Sequence, residues 1–145
     1  LGDAGKAMDN FTYAMHKYTT DSLFSICSDA LQVDGAFGMA AAVAEMILQS
    51  HEDELNLLPA VPASWSEGEV RGLRARGGFE VSLSWSGGRL KQATILSTLG
   101  GTCRIRAGVP VRVASEGKKV RFSSPANGAI EFRTDAGGIY ILTAR

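Results

Sequence analysis

The chain has 145 residues, of which 45% are apolar and 21% charged, with 15 basic and 15 acidic side chains. That is room for one domain or two small ones, in a composition that excludes disorder and a collagen-like fibre. No apolar run approaches the roughly 18 residues that span a bilayer, two cysteines cannot staple a disulfide-dense mini-protein, and zero net charge argues against a bulk polyanion binder.

The zero conceals a division. Residues 1–62 hold two basic and nine acidic groups, net −7, and residues 63–145 hold thirteen and six, net +7. Glycine divides the same way, four before position 63 and thirteen after, so two regions of different composition meet near Pro59–Pro62. A charge split can signal nucleic acid; here the arginines are spread among strand patterns, which favours an ordinary solvated surface. The first residue is Leu1, no signal peptide follows it, and a helical pattern starts almost at once, so a piece of a longer chain is expected.

Ala4, Ala7, Met8, Phe11, Met15 and Tyr18 recur at three- and four-residue steps and predict a helix over 4–18, with Asp3 as its N-cap. Thr19-Thr20-Asp21-Ser22 breaks it, and 23–34 reads as a long loop of the kind that often carries function. Ala36 to Ser50 is apolar almost all round, which predicts a buried helix with Asp34 and Gly35 at its entry. Two helices cannot enclose such a segment, so it asks for neighbours this chain does not contain. The period then changes to two. Phe79, Val81, Leu83 and Trp85 alternate with polar residues, Ser86-Gly87-Gly88-Arg89 signals a hairpin, and Leu90 to Ser97 returns. Further strands are expected at 102–107, 109–114, 118–122, 128–133 and 138–143, divided by turns such as Asn127-Gly128, which together suggest an antiparallel sandwich.

Few motifs carry chemistry. Val33-Asp34-Gly35 resembles the glycine end of a calcium loop, but Ala30 and Gln32 stand where acids are needed. His51-Glu52-Asp53-Glu54 is consecutive and reads as a solvated acidic turn, not a metal cluster. His16 borders the apolar stripe, as a surface histidine does. Cys27 and Cys103 form no C-x-x-C unit, and a disulfide between them is not deducible. Asn10-Phe11-Thr12 is a glycosylation acceptor sequence if the chain is secreted. Trp65 and Trp85 could stack on a sugar, although Trp85 keeps the apolar phase of its strand. Asp34 stands between a long loop and an apolar helix, flanked by Gly35 and Gly38; the helix dipole favours a carboxylate there, as a cap or as a functional group.

Gln32-Val33-Asp34-Gly35-Ala36-Phe37-Gly38, followed by Ala44-Glu45-Met46-Ile47-Leu48-Gln49-Ser50-His51, resembles glycoside hydrolase family 95, the inverting α-L-fucosidases, whose members read Q-I-D-G-N-F-G and end the next helix on A-E-M-L-L-Q-S. Leu57-Leu58-Pro59-Ala60-Val61-Pro62 and Gly72-Leu73-Arg74-Ala75-Arg76-Gly77-Gly78-Phe79-Glu80-Val81 are similar to the family's L-L-P-A-L-P and G-L-R-A-R-G-G-F-E-V, and Trp85, Gly88, Leu90 and Gly100-Gly101-Thr102-Cys103-Arg104 continue in step. The resemblance covers about residues 22–106, and Leu23-Phe24-Ser25-Ile26-Cys27-Ser28 is similar to fungal members.

The resemblance implies a multidomain α and β fold: residues 1–62 as the last helices of an (α/α)6 catalytic barrel, and 63–145 as a C-terminal antiparallel β-sandwich. It implies inverting hydrolysis of α-1,2-linked terminal L-fucose, in which one carboxylic acid protonates the leaving oxygen and a second carboxylate activates water from the opposite face. Asp34 matches the water-side aspartate, and Gln32, Gly35 and Phe37 around it would contact substrate. The general acid and the water-holding asparagines would lie upstream, so this portion alone should hydrolyse nothing. Glu45, eleven residues on, is no substitute. The implied partners are a fucosylated oligosaccharide or polysaccharide and the N-terminal remainder of the same protein, without metal, cofactor, nucleic acid or membrane, and the protein would be secreted. Two departures bear on the sugar pocket: Ala36 replaces the family asparagine, and Cys27-Ser28-Asp29-Ala30-Leu31 replaces H-P-P-F. They leave open a related L-sugar such as an α-L-galactoside, or a non-catalytic carbohydrate-binding or scaffold role.

Overall fold

The computed structural model describes residues 2–28, 30–125 and 128–145. Two helices lead into two packed sheets. Helix α1 spans Ala4–Tyr18, and Asp3 caps it, its Oδ1 accepting the Lys6 amide at 3.0 Å. The stretch expected to be a loop instead carries two short paired strands, β1 (Ile26–Cys27) and β2 (Ala30–Leu31), with Ile26 opposite Leu31 and Cys27 opposite Ala30. Asp29, between them, lies outside the described residues, as do Leu1 and Asn127 of the predicted Asn127-Gly128 turn.

Helix α2 spans Val33–Ile47, three residues earlier at both ends than the apolar run suggests. It does not stop at a linker. The Leu48 amide still donates to the Ala44 carbonyl, and the chain passes straight into β3 (Leu48–Gln49), which pairs with β4 (Leu55–Leu57). Ile47, Leu48, Leu55 and Leu57 all enter the core shared with the sheets. Two strands on the N-terminal side of the composition change at 62 therefore belong to the sandwich.

The remaining strands are β5 (Glu67–Ala75), β6 (Phe79–Ser86), β7 (Arg89–Ser97), β8 (Gly101–Arg106), β9 (Val111–Ser115), β10 (Lys118–Lys119), β11 (Ile130–Thr134) and β12 (Gly138–Ala144). Six form one sheet in the order β10-β9-β12-β7-β6-β5, and four the other, β11-β8-β4-β3. Alternation sets which side chains face inward. Val81, Leu83 and Trp85 of β6, Ile95 of β7, Val111 and Val113 of β9 and Leu142 of β12 meet Cys103 and Ile105 of β8 and Phe132 of β11 in one apolar cluster. Each large side chain so enclosed contributes about 1.5–3 kcal/mol. Gly87 and Gly88 take φ +60° and +69°, the left-handed pair that a two-residue hairpin turn needs, with Ser86 opposite Arg89.

Strand β5 has no counterpart in the sequence reading. Its inward positions include Gly68, and a β-bulge between Val70 and Leu73 breaks the alternation, with Gly72 at φ +72°. Gly68 has a specific reason: a Cβ there would collide with the Trp85 indole, whose Nε1 donates to the Trp65 carbonyl at 2.7 Å. Trp85 is thus a core residue. One ion pair fastens the turn after α2 to this framework. Glu54, with its side chain only 7% exposed, accepts from Arg106 Nε at 2.6 Å and Nη2 at 3.1 Å. The acidic turn His51–Glu54 is therefore not wholly solvated.

Candidate functional site

The site is built where β1 and β2 meet the first turn of α2. Gln32 is the N-cap of α2, and its side chain makes no capping bond; its backbone amide donates instead to the Ser25 carbonyl at 2.8 Å. Gly35 lets the helix come this close. A Cβ at that position would collide with Ser25 Oγ and stand 3.1 Å from Ser25 Cβ, and Ser25 itself is buried. Asp34 sits in the first turn of α2, not at the cap, with an exposed side chain and no ion pair or side-chain hydrogen bond among the described residues. The unpaired amides of that turn favour an anion there. Phe37 lies one turn on from Asp34 and is 71% exposed.

Sequence reasoning thus brings Gln32, Asp34, Gly35 and Phe37 to one helix start, with different duties. Gly35 is a packing residue against Ser25, Gln32 joins helix to hairpin, and Asp34 and Phe37 point to open surface. Asp34 does not line the groove of about 680 Å³ that runs between α1 and α2, whose walls include Ala7, Phe11, Ala14, Gly38, Met39 and Ala42. Ser25 is the residue the sequence reading missed. Its signal was the glycine at 35, which announces a close neighbour without naming it.

Helix α2 was expected to be buried. Within this chain only its last turn, Met46 and Ile47, is buried, and α1 buries no residue at all. Val33, Phe37 and the exposed alanines 40 and 41 form an apolar face with no partner among the described residues. Glu45 is exposed and lies 3.8 Å from His51 Nδ1. Eleven residues of helix rise put it about 16 Å along the axis from Asp34, too far for a pair of carboxylates separated by one water.

Elsewhere the chemistry is quiet. Cys27 is exposed and Cys103 fully buried, and both are free thiols. Burial among apolar side chains pushes the Cys103 thiol up to about 12. His16 is exposed. Asn10 is exposed, its Nδ2 donating to the Lys6 carbonyl at 2.8 Å. No three metal-ligating side chains converge among the described residues, and no helix is long and apolar enough to cross a membrane.

Comparison with known proteins fixes the family of this two-sheet sandwich and the helices that lead into it. Residues 49–142 match the model of the glycoside hydrolase family 95 C-terminal domain, and the chain belongs to that family. It is 58% identical over 60 residues to Alpha-L-fucosidase 2 of Arabidopsis thaliana, covering 41% of this chain and 7% of that one. It is 41% identical over 68 residues to the Probable alpha-fucosidase A of Aspergillus oryzae, and 36% over 70 residues to that of Aspergillus niger, covering 40% and 41% of this chain and 9% of each relative. The matched stretches thus span less than a tenth of these relatives' length. A solved family 39 glycoside hydrolase from the gut symbiont Bacteroides cellulosilyticus WH2 overlays with a TM-score of 0.42 at 17% identity, over 55% of this chain and 17% of that one, a likeness that carries no argument.

Proposed function

We propose that the polypeptide to which this chain belongs is a secreted, exo-acting glycoside hydrolase that removes terminal α-1,2-linked L-fucose with inversion. The two helices before Leu48 close its (α/α)6 catalytic barrel, and the chain from β3 onward forms its C-terminal sandwich domain, a boundary earlier than the composition change at 62. The observation that carries this reading is the exposed Asp34, unpaired among the described residues, on the first turn of an apolar helix whose outer face has no covering partner among them. A carboxylate so placed can accept a proton from water, provided that the rest of the polypeptide supplies the walls of the pocket and the general acid. Membership of family 95 and the names of the aligned relatives support fucose as the sugar.

In this mechanism Asp34 takes a proton from a water on the face of the sugar opposite the leaving group, while an upstream carboxylic acid protonates the glycosidic oxygen. The two groups stand about 6.5–9.5 Å apart to admit the water. Gly35 lets the helix start pack against Ser25, which positions the backbone that carries the neighbouring carboxylate. Gln32 and Phe37 contact the sugar or its aglycone. No metal or cofactor enters a step.

One observation favours a second substrate. Ala36 stands, half-buried, where the family has an asparagine, so an amide that could read a sugar hydroxyl is missing. A related L-sugar such as an α-L-galactoside is then the competing substrate. The test is hydrolysis of fucosylated and L-galactosylated glycans by the full-length protein, followed by NMR. The expected first product is the β anomer of L-fucose. An α anomer would contradict inversion, preferred release of L-galactose would select the second substrate, and absence of hydrolysis would leave a carbohydrate-binding or scaffold role.

A further inference from the structure

The charge division seen in the sequence acquires a location in the fold. Within the sandwich, Arg71, Arg74, Arg104 and Arg106 are matched by Glu69, Glu80, Glu131 and Glu54 at 2.6–2.9 Å. The cations of the β9–β10 edge are not. Arg112, Lys118, Lys119 and Arg121 are all exposed and have no ion-pair partner among the described residues.

Strand register places three of them on one face. Val111 and Val113 point into the core, so Arg112 between them points out. Lys119 lies opposite Ala114, and the Val120 amide donates to the Val113 carbonyl at 2.9 Å, which carries the same register onward and brings Arg121 opposite Arg112. From Arg112 a polar row crosses the same outer face in register: Thr143, then Gln92, then Ser84, on successive strands. At the usual strand spacing this row spans roughly 14 Å. Glu116 and Asp135 line the cavity at this corner with Lys118 and Lys119, and beyond Ser84 the row meets Glu69 of β5, which pairs with Arg71 at 2.8 Å.

We propose that this outer sheet face, anchored on Arg112, Lys119 and Arg121, binds a uronate-bearing polysaccharide. Guanidinium groups pair with carboxylates through two parallel hydrogen bonds, and the hydroxyl and amide row beside them matches sugar hydroxyls. Cations alone would also suit the phosphates of a nucleic acid; the hydroxyl and amide row, together with the glycan-acting reading of the protein, selects the glycan. The inference rests on the reading of the protein as glycan-acting and adds a surface on which the substrate polymer, or a polymer beside it, is held far from the bond that is cut.

The test is affinity electrophoresis of the full-length protein in gels containing polygalacturonate, neutral dextran or duplex DNA, at about 50 mM and about 300 mM salt, where screening differs strongly. Polygalacturonate should retard it, dextran should not, and the higher salt should abolish the retardation. Arg112→Ser with Lys119→Ser and Arg121→Ser should weaken the interaction about tenfold or more, while Lys6→Ser with Lys17→Ser, on α1, should leave it unchanged. If the triple variant melts early, Lys119→Ser with Arg121→Ser reads the same surface outside the central strands. No retardation, equal losses in both sets of variants, or tighter binding to DNA would overturn the proposal. Retardation by a protein that hydrolyses no fucoside would break the fucosidase reading and leave this one standing; hydrolysis without retardation would do the reverse.

Discussion

In the sandwich Val81, Ala93, Ile95, Ile105 and Leu142 are fully enclosed, whereas on the helix pair and its hairpin Leu23, Phe24, Leu31, Val33 and Phe37 each stand more than half exposed. Both sets have the side chains of a core. The sandwich brings two sheets face to face and closes its core within 145 residues. The helices bring one another only an open groove, and among the described residues α2 reaches the closed core through Val43 and Ile47 before the chain enters it at Leu48. A 15-residue helix is marginal in water without tertiary packing, so α1 and α2 depend on what covers them in a way that the sandwich does not. The catalytic candidate is on the dependent side of that division.

Matched truncations would break this comparison if it is wrong. Leu142→Ala should lower the stability of the sandwich by about 2–5 kcal/mol, read from its urea unfolding transition, because it leaves a cavity between the sheets. Phe37→Ala in the same chain should change it by less than about 0.5 kcal/mol, because water already surrounds the ring. Similar losses in both would mean that the helix pair is packed as tightly as the sheets.

The cysteines sharpen the contrast through pH. Cys103 lies in the closed region with its thiol held up to about 12 against an ordinary 9.0. Above pH 9 the unfolded chain gives up this proton and the folded chain does not, so the contribution of this group to stability is complete below 9 and falls by about 1.4 kcal/mol per pH unit until about 12. Cys103→Ala should remove that part of the slope. Cys27, exposed in the hairpin, should react with a thiol reagent in the native state, while Cys103 reacts only on unfolding; native labelling of both would refute the closed core.

The same division governs what the sequence could reveal. The first helix was readable to the residue, because its apolar stripe and the Asp3 cap are both local signals. The hairpin strands β6 and β7 were readable because alternation and Gly87-Gly88 agree. Strand β5 was not, since Gly68 yields its space to Trp85 and the bulge at Gly72 breaks the period. The short pairs β1–β2 and β3–β4 hold two or three residues each, too few to show a period. At the site, the motif around Asp34 marked the helix start, but the contact between Gly35 and Ser25 joins residues ten apart, and the glycine does not say which residue it meets. The burial expected of α2 was a statement about its composition, and its exposure here shows that composition names the need for a neighbour without supplying one.

The central functional claim turns on one carboxylate, and Asp34→Asn in the full-length protein tests it most directly. The account predicts that kcat on a fucosylated oligosaccharide falls about 10³-fold or more, while the melting temperature moves by no more than about 2 °C, since an exposed carboxylate in a first helical turn contributes less than about 1 kcal/mol. A variant that keeps its turnover would show that another group activates the water.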